Sequence, residues 1–273
     1  MRALRNLSSF NSFRKTIAGH SELSPMRPPF NREVEALAQL DFGRFFDRAT
    51  LQQFAAYFTI KSYTRRSAIY EAGHERDAVY GLVSGHIKIM REDAVGNRVL
   101  LDILPPGTLF GEDALIATGQ RERTAVAHDM ASVARIGRTE LLQLMSETPR
   151  LYEYIFRLVG ERLIHAEDRI SDLSLDGIAV RLAKVLLHLV SRYGVTQEAP
   201  KVLISLRIPH RELADLVGST RESVTMHLND LRRREIVEFS NRRILVLDYA
   251  ALAAQAQSQL RRLDSPDDES DEE

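Results

Sequence analysis

The chain has 273 residues, a formal net charge of −1, 44% hydrophobic and 27% charged residues, and no cysteine. That is enough chain for two modest cores of the soluble globular kind, and no apolar run approaches the ~18 residues that a membrane span needs. The missing thiols exclude disulfides, thiolate zinc sites, cysteine-ligated iron–sulfur clusters and thiol catalysis. A cytoplasmic location is the expectation.

Charge is unevenly placed. Asp264, Asp267, Asp268, Glu269, Asp271, Glu272 and Glu273 make an acidic tail, assigned to 251–273, and the rest of the chain is net basic without them. At the other end, residues 1–30 read as an extension with Arg2, Arg5, Arg14 and Lys15 ahead of any acid, punctuated by Pro25, Pro28 and Pro29.

From Asn31 to Tyr57, Val34, Leu37 and Ala38, then Phe45, Phe46, Leu51, Phe54 and Ala55, recur at helical spacing and predict two short helices. The period then shortens. Ser67–Tyr70, Ala78–Val83, His86–Met90, Arg98–Leu104, Thr124–Ala127 and Ser132–Ile136 read as strands, parted by Ala72-Gly73-His74, Ser84-Gly85, Val95-Gly96-Asn97 and Pro105-Pro106-Gly107. Short strands with regular glycine punctuation point to a jelly-roll barrel, giving a domain over 31–147. A helix follows at Thr139–Ser146.

Thr148-Pro149 starts a longer helix that runs to about Leu175. Its seam of Tyr152, Ile155, Val159, Leu163, Ala166, Ile170 and Leu173 suits a coiled-coil contact with a second copy, which makes 148–175 a dimerisation helix. The plainer alternative is packing on its own barrel.

Asp176-Gly177 opens a second domain over 176–250. Ile178–Tyr193 is an amphipathic helix, Val195–Lys201 a polar connection, and Val202–Ser205 a short strand. His210–Asn229 then has the pattern of a helix-turn-helix: Leu213, Ala214 and Val217 face inward from one helix, Gly218 supplies the turn, and Val224 and Leu228 face inward from the next. Ser219 or Thr220 caps the second helix. Its exposed first turn carries Arg221, Glu222 and Thr225, the positions from which base edges are read. Arginine grips guanine through two hydrogen bonds, and glutamate accepts one from the cytosine amino group. Ile236–Phe239 and Ile244–Leu247, joined by a basic tip that includes Arg242, form a wing suited to phosphates.

With these pieces assembled, the chain resembles the cyclic-AMP receptor protein/FNR superfamily of transcription factors. AIYEAGHERDAVYGLVSGHIKIM, PPGTLFGEDALIATGQRERTAVA, the long helix and VGSTRESVTMHLNDLRRREIV carry the resemblance, which spans roughly Phe46 to Val246. It implies an α+β chain: a jelly-roll effector barrel, a long dimerisation helix and a C-terminal winged helix-turn-helix. The implied partners are double-stranded DNA, a second copy, RNA polymerase and a small effector, with no membrane. In cyclic-nucleotide-binding members, a Gly-Glu pair holds the ribose and an Arg-Ser/Thr pair holds the cyclic phosphate. Here those positions are Gly111, Glu112, Arg123 and Thr124, with Arg162 within reach from the long helix. Cyclic AMP or another cyclic nucleotide is the favoured effector.

Two departures keep alternatives open. Ala166 and Glu167 stand where the family's adenine-contacting Thr-Ser pair falls, and the loop between Glu112 and Arg123 is one residue longer. A non-nucleotide effector, or an empty barrel in which Glu112 and Arg123 pair with each other, are the alternatives. His74 and His86 are single histidines in the barrel and carry little case for haem. On the DNA side the resemblance matches Arg221 and Glu222 to the base-reading pair and places Met226 where a basic reader usually stands. His210, Arg211, Thr220 and Ser223 are candidate phosphate contacts. No metal cluster or catalytic arrangement is visible, so an enzyme is not expected.

Overall fold

The computed structural model describes residues 31–258 apart from 94, 198–199 and 241–242. The extension at 1–30, the tail beyond 258 and Arg242 lie outside the described residues. Two compact units divide between Arg162 and Leu163, and each is taken by itself.

The first unit begins with α1 (Asn31–Ala38), a 3-10 turn (Asp41–Phe45) and α2 (Arg48–Ala55), capped by Asp47, whose carboxylate accepts from the Thr50 amide. Eight strands follow: β1 (Thr59–Tyr63), β2 (Ala68–Tyr70), β3 (Ala78–Ser84), β4 (Ile87–Glu92), β5 (Arg98–Leu104), β6 (Leu109–Phe110), β7 (Thr124–Ala127) and β8 (Ala131–Gly137). One turn of helix, α3 (Asp113–Ile116), interrupts them, and α4 (Arg138–Glu147) follows. They form two antiparallel four-stranded sheets of order β1-β8-β3-β6 and β2-β7-β4-β5. The sequence marks six of these strands. It does not mark β1, whose Thr59–Tyr63 carries lysine and serine outward, or the two-residue β6.

The period of two explains how one sheet serves two cores. From β3, Ala78, Tyr80 and Leu82 enter the space between the sheets, where they meet Tyr70, Ile87, Ile89, Phe110, Ala125 and Val133. Val79 points the other way, into a layer built with Leu37, Leu40, Phe42, Leu51, Phe54 and Leu144 from the helices. Gly81 lies on that outer face, where a Cβ would collide with the Leu40 side chain. Tyr70, Tyr80 and Phe110 stack inside the barrel with centroids 5.3–6.2 Å apart, each ring pair adding about 0.5–1.5 kcal/mol beyond burial.

The long helix α5 (Pro149–Leu175) starts and stops where the sequence places it, and the division between the units falls inside it. Its first turns bury Leu151, Tyr154 and Ile155 against the barrel's helical layer. Ile155 therefore belongs to that core and not to the outer seam. Phe156, its neighbour, is 82% exposed.

The second unit continues with α6 (Ile178–Tyr193), β9 (Gly194–Thr196), β10 (Val202–Ile204), α7 (His210–Val217), α8 (Arg221–Arg233), β11 (Val237–Ser240), β12 (Arg243–Val246) and α9 (Tyr249–Ala256). A sheet of order β11-β12-β10-β9 backs the helices. β9 falls in the stretch read from sequence as a polar connection. All three of its residues are exposed, so no burial pattern marks it.

Candidate effector pocket and nucleic-acid interface

In the barrel, the cassette from β6 to β7 gathers the predicted effector residues. Gly111 has φ +76, a conformation natural to glycine, and a Cβ there would crowd Tyr80 and Arg121 Nη1, each at 3.1 Å. Glu112 is buried, and its carboxylate is taken by the Arg162 guanidinium, which also donates to the Leu109 carbonyl at 2.6 Å. The Thr124 hydroxyl accepts from the Ala72 amide at 3.1 Å.

Arg123 stands apart from these. It is exposed, and no hydrogen bond or ion pair engages it among the described residues. The Glu112–Arg123 pair of the empty-barrel alternative does not form; Arg162 takes the Glu112 carboxylate instead. The buried arginine of the loop is instead Arg121. Its Nη1 donates to Asp113 at 2.8 Å and its Nη2 to the Ala78 carbonyl at 2.5 Å. Sequence reading did not single out Arg121, since nothing local in the loop tells it from Arg123.

In the second unit, α7 ends on Gly218 at φ +69, ψ +48, the left-handed conformation that closes a helix and turns the chain. The carbonyls orphaned at that end are gripped by arginines. Arg169 donates to the Asp215 and Leu216 oxygens at 3.1 and 2.9 Å, and Arg181 to those of Val217 and Gly218 at 3.0 and 3.2 Å. Cations at a helix C-terminus satisfy both the unpaired carbonyls and the helix dipole. Sequence reading missed both arginines, since nothing local ties them to α7.

The Leu173 side chain packs over the turn, 2.5 Å from where a Cβ on Gly218 would lie. Gly218→Ala is therefore expected to cost about 1–3 kcal/mol, combining left-handed strain with displacement of Leu173. The contrasting change is Gly160→Ala, at a helical position with nothing within 4 Å, which should gain up to about 1 kcal/mol. Thermal unfolding followed by circular dichroism would show the opposite shifts.

Thr220 caps α8, its hydroxyl oxygen accepting from the Ser223 amide at 3.2 Å while lying 3.1 Å from the Ser223 hydroxyl. Arg221 and Glu222 follow in the first turn, both exposed, as is Arg211 on α7. Met226 is 60% exposed on the same face. The Thr225 hydroxyl donates to the Arg221 carbonyl at 2.8 Å and lies 3.0 Å from His210 Nδ1. Since its one proton is used, it accepts from His210, which puts the imidazole proton on Nδ1.

Burial and, after it, the Arg221 charge hold His210 below its ordinary pKa of 6.5. A group depressed in the folded state contributes stability that is present above the unfolded value and lost as pH falls through it. Folding stability should therefore decline below about pH 6.5, and His210→Gln should flatten that decline in denaturant titrations across pH 5–8.

A barrel with this cassette, joined by a long helix to a winged helix-turn-helix, defines a sensor-regulator that reads DNA. The profile of the cyclic nucleotide-binding domain family matches residues 60–148, and that of the Crp-like helix-turn-helix domain family matches 180–255. A CRP-like cAMP-activated global transcriptional regulator of Mycobacterium tuberculosis is 29% identical over 194 residues, 71% of this chain and 86% of that one. A global nitrogen regulator of Nostoc is 27% identical over 198 residues, 72% of this chain and 88% of that one. The crystal structure of a CRP/FNR-family transcriptional regulator from Thermus thermophilus superposes with a TM-score of 0.62 at 27% identity, covering 74% of this chain and all of that one. The chain belongs to the Crp/Fnr family of transcription regulators. It is an effector-switched, DNA-binding regulator with an α+β architecture. Among the described residues, no helix is long and apolar enough to cross a membrane.

Proposed function

We propose that this regulator works as a homodimer in the cytoplasm, reading two inverted half-sites of duplex DNA under the control of a phosphate-bearing effector, with a cyclic nucleotide favoured. The observation that carries the DNA reading is the first turn of α8. There Arg221 and Glu222 stand exposed on a helix whose Thr220 cap and Gly218 turn are built into the fold. Arg221 would contact a guanine and Glu222 a cytosine, while His210, Arg211, Ser223, Thr220 and the wing with Arg242 would meet phosphates.

The seam of α5 supports the dimer once Phe156 takes the place of Ile155. Tyr152, Phe156, Val159, Leu163, Ala166, Ile170 and Leu173 alternate at spacings of four and three, the heptad rhythm of a two-helix contact. All but Ala166 rank among the exposed large hydrophobic residues. Glu112, Arg123, Thr124 and Arg162 are assigned to the effector. RNA polymerase is the expected partner once DNA is bound, and the protein is read as a regulator and not an enzyme.

A second reading is favoured by one observation. Glu112 is already paired by Arg162, so the barrel is neutralised there without a ligand and the protein could bind DNA constitutively. Fluorescence anisotropy separates the two, with a labelled duplex carrying inverted G- and C-containing half-sites whose centres lie about 34 Å apart. Tightening of tenfold or more on adding cyclic AMP at fixed salt, about 1.4 kcal/mol of coupling, supports the switch. Equal tight binding in both conditions selects the constitutive reading. Binding no tighter than to scrambled DNA would overturn the half-site assignment.

A further inference from the structure

The second unit carries arginines that its own fold leaves unused. Arg169 and Arg181 hold the end of α7, and Arg233 and Arg234 share the Asp230 carboxylate. Arg207, Arg211, Arg221 and Arg232 differ. All four are exposed, and no hydrogen bond or ion pair engages their guanidinium groups among the described residues. Eleven residues make three turns of helix, so Arg221 and Arg232 share one side of α8 and stand about 16 Å apart along its axis. A row of free guanidinium groups fits a polyanion, and duplex DNA is one such partner.

A second polyanion belongs to the chain itself. From Asp264 to Glu273 the sequence carries seven carboxylates and no cation. The described structure fixes where that run is attached. α9 ends at Ala256, the Gln255 side chain accepts from Arg234 Nη1 at 2.9 Å, and the Ser258 hydroxyl donates to the Gln255 carbonyl at 3.0 Å. The chain therefore leaves the unit beside the C-terminal end of α8, next to Arg232. The acid-free residues 259–263 span up to about 17 Å when extended, which matches the separation of Arg232 from Arg221. Asp264 is thus within reach of Arg221, and the rest of the run within reach of Arg211, whose neighbour His210 lies against Thr225 of α8.

We propose that the arginine side of α8, with Arg211 beside it, is a docking surface for the chain's own acidic run at 264–273, which competes there with DNA. The proposal rests on the reading of α8 as the DNA-contacting helix and adds a second, intramolecular occupant for the same arginines. A short tether holds such a run at an effective concentration near the millimolar range, so individually weak carboxylate–arginine pairs suffice. The run has to leave for specific and scrambled duplexes alike. It therefore lowers both affinities by one factor and keeps their ratio. Salt loosens the docked run as well as the DNA, so the parent's affinity falls less steeply with salt than that of a chain without the competing charges.

The test compares the full chain with a full-length variant in which each of the seven acids of 264–273 becomes its amide. These positions lie past α9, so the melting temperature should not move. In fluorescence anisotropy the variant should bind both duplexes about tenfold tighter at about 50 mM salt, with the gain shrinking towards none at about 300 mM. A labelled synthetic peptide of residues 263–273 should bind the variant and be displaced by either duplex. It should bind the parent at least fivefold more weakly, because the parent's own run holds the surface. Arg221→Gln with Arg232→Gln in the variant should lose the peptide. Excess unlabelled peptide should also release DNA from the parent, a readout that needs no variant. Equal DNA affinity in parent and variant would overturn the proposal and leave the reading of α8 standing. A gain in the variant without peptide binding would overturn it too, since long-range repulsion then accounts for the gain. Peptide binding that survives the loss of both arginines would overturn the placement on α8. Peptide competition with both duplexes, but no preference for the specific one in any variant, would keep the proposal and overturn the half-site assignment. No binding of peptide or duplex to either chain would overturn both.

Discussion

Arg221→Ala is expected to abolish discrimination between the specific duplex and scrambled DNA while leaving weak, salt-sensitive binding in place. A bidentate arginine–guanine contact carries about 1–3 kcal/mol of discrimination, and a dimer loses it twice, giving roughly 2–6 kcal/mol for separated half-sites. The fold has no stake in that side chain, which is exposed at the start of α8 and packs into neither core. Circular dichroism should therefore be unchanged. The informative control is the salt slope. Losing a base contact lowers specific affinity at every salt concentration, whereas losing a phosphate contact lowers affinity on all sequences and reduces the slope. Arg211→Ala should behave in the second way. On the reading proposed for α8, Met226 would face the neighbouring base pair. An exposed thioether cannot donate a hydrogen bond, and the apolar feature of the major groove is the thymine methyl. If Arg221→Ala binds the specific and scrambled duplexes with the parent's ratio, α8 is not the reading helix.

The parts of this protein legible in its sequence are those whose causes are local. Thr148-Pro149 announces the long helix, Gly218 the turn of the reading motif, and alternating apolar residues the strands with one buried face. What escaped depends on which distant groups meet. Ile155 and Phe156 are adjacent, both apolar, and both compatible with a helical stripe. Only the docking of α5 on the aromatic layer of Phe42 and Tyr154, whose centroids lie 6.0 Å apart, decides which one is core. Arg121 and Arg123, two residues apart, pose the same problem. The family resemblance favours Arg123 because it precedes Thr124. The loop's backbone pairing, with the Arg121 amide donating to the His74 carbonyl at 2.7 Å and its carbonyl accepting from Gly73, turns Arg121 inward. β9 was missed for a third reason: it is held by pairing with β10 and buries nothing.

Phe156→Glu is expected to convert the protein to a monomer in analytical ultracentrifugation at micromolar concentration, without loss of helix or melting cooperativity in the barrel. Phe156 is 82% exposed in the isolated chain, so nothing in its own subunit depends on the ring. Covering such a side chain against a second helix is worth roughly 1.5–3 kcal/mol, and a symmetric contact contains two of them. Glutamate removes both contributions and sets two like charges facing each other across the seam, a burial that unpaired carboxylates resist by several kcal/mol. DNA binding should fall with the dimer, because a monomer engages one half-site and forfeits the gain from linking two readers. Ile155→Glu should behave differently. Ile155 is buried in the first unit's own core, so that change should unfold the barrel, and the protein should appear as aggregate or lose its melting transition before any question of assembly arises. The pair of variants thus separates the seam from the core at adjacent positions. A Phe156→Glu protein that still sediments as a dimer would place the subunit contact elsewhere than on α5.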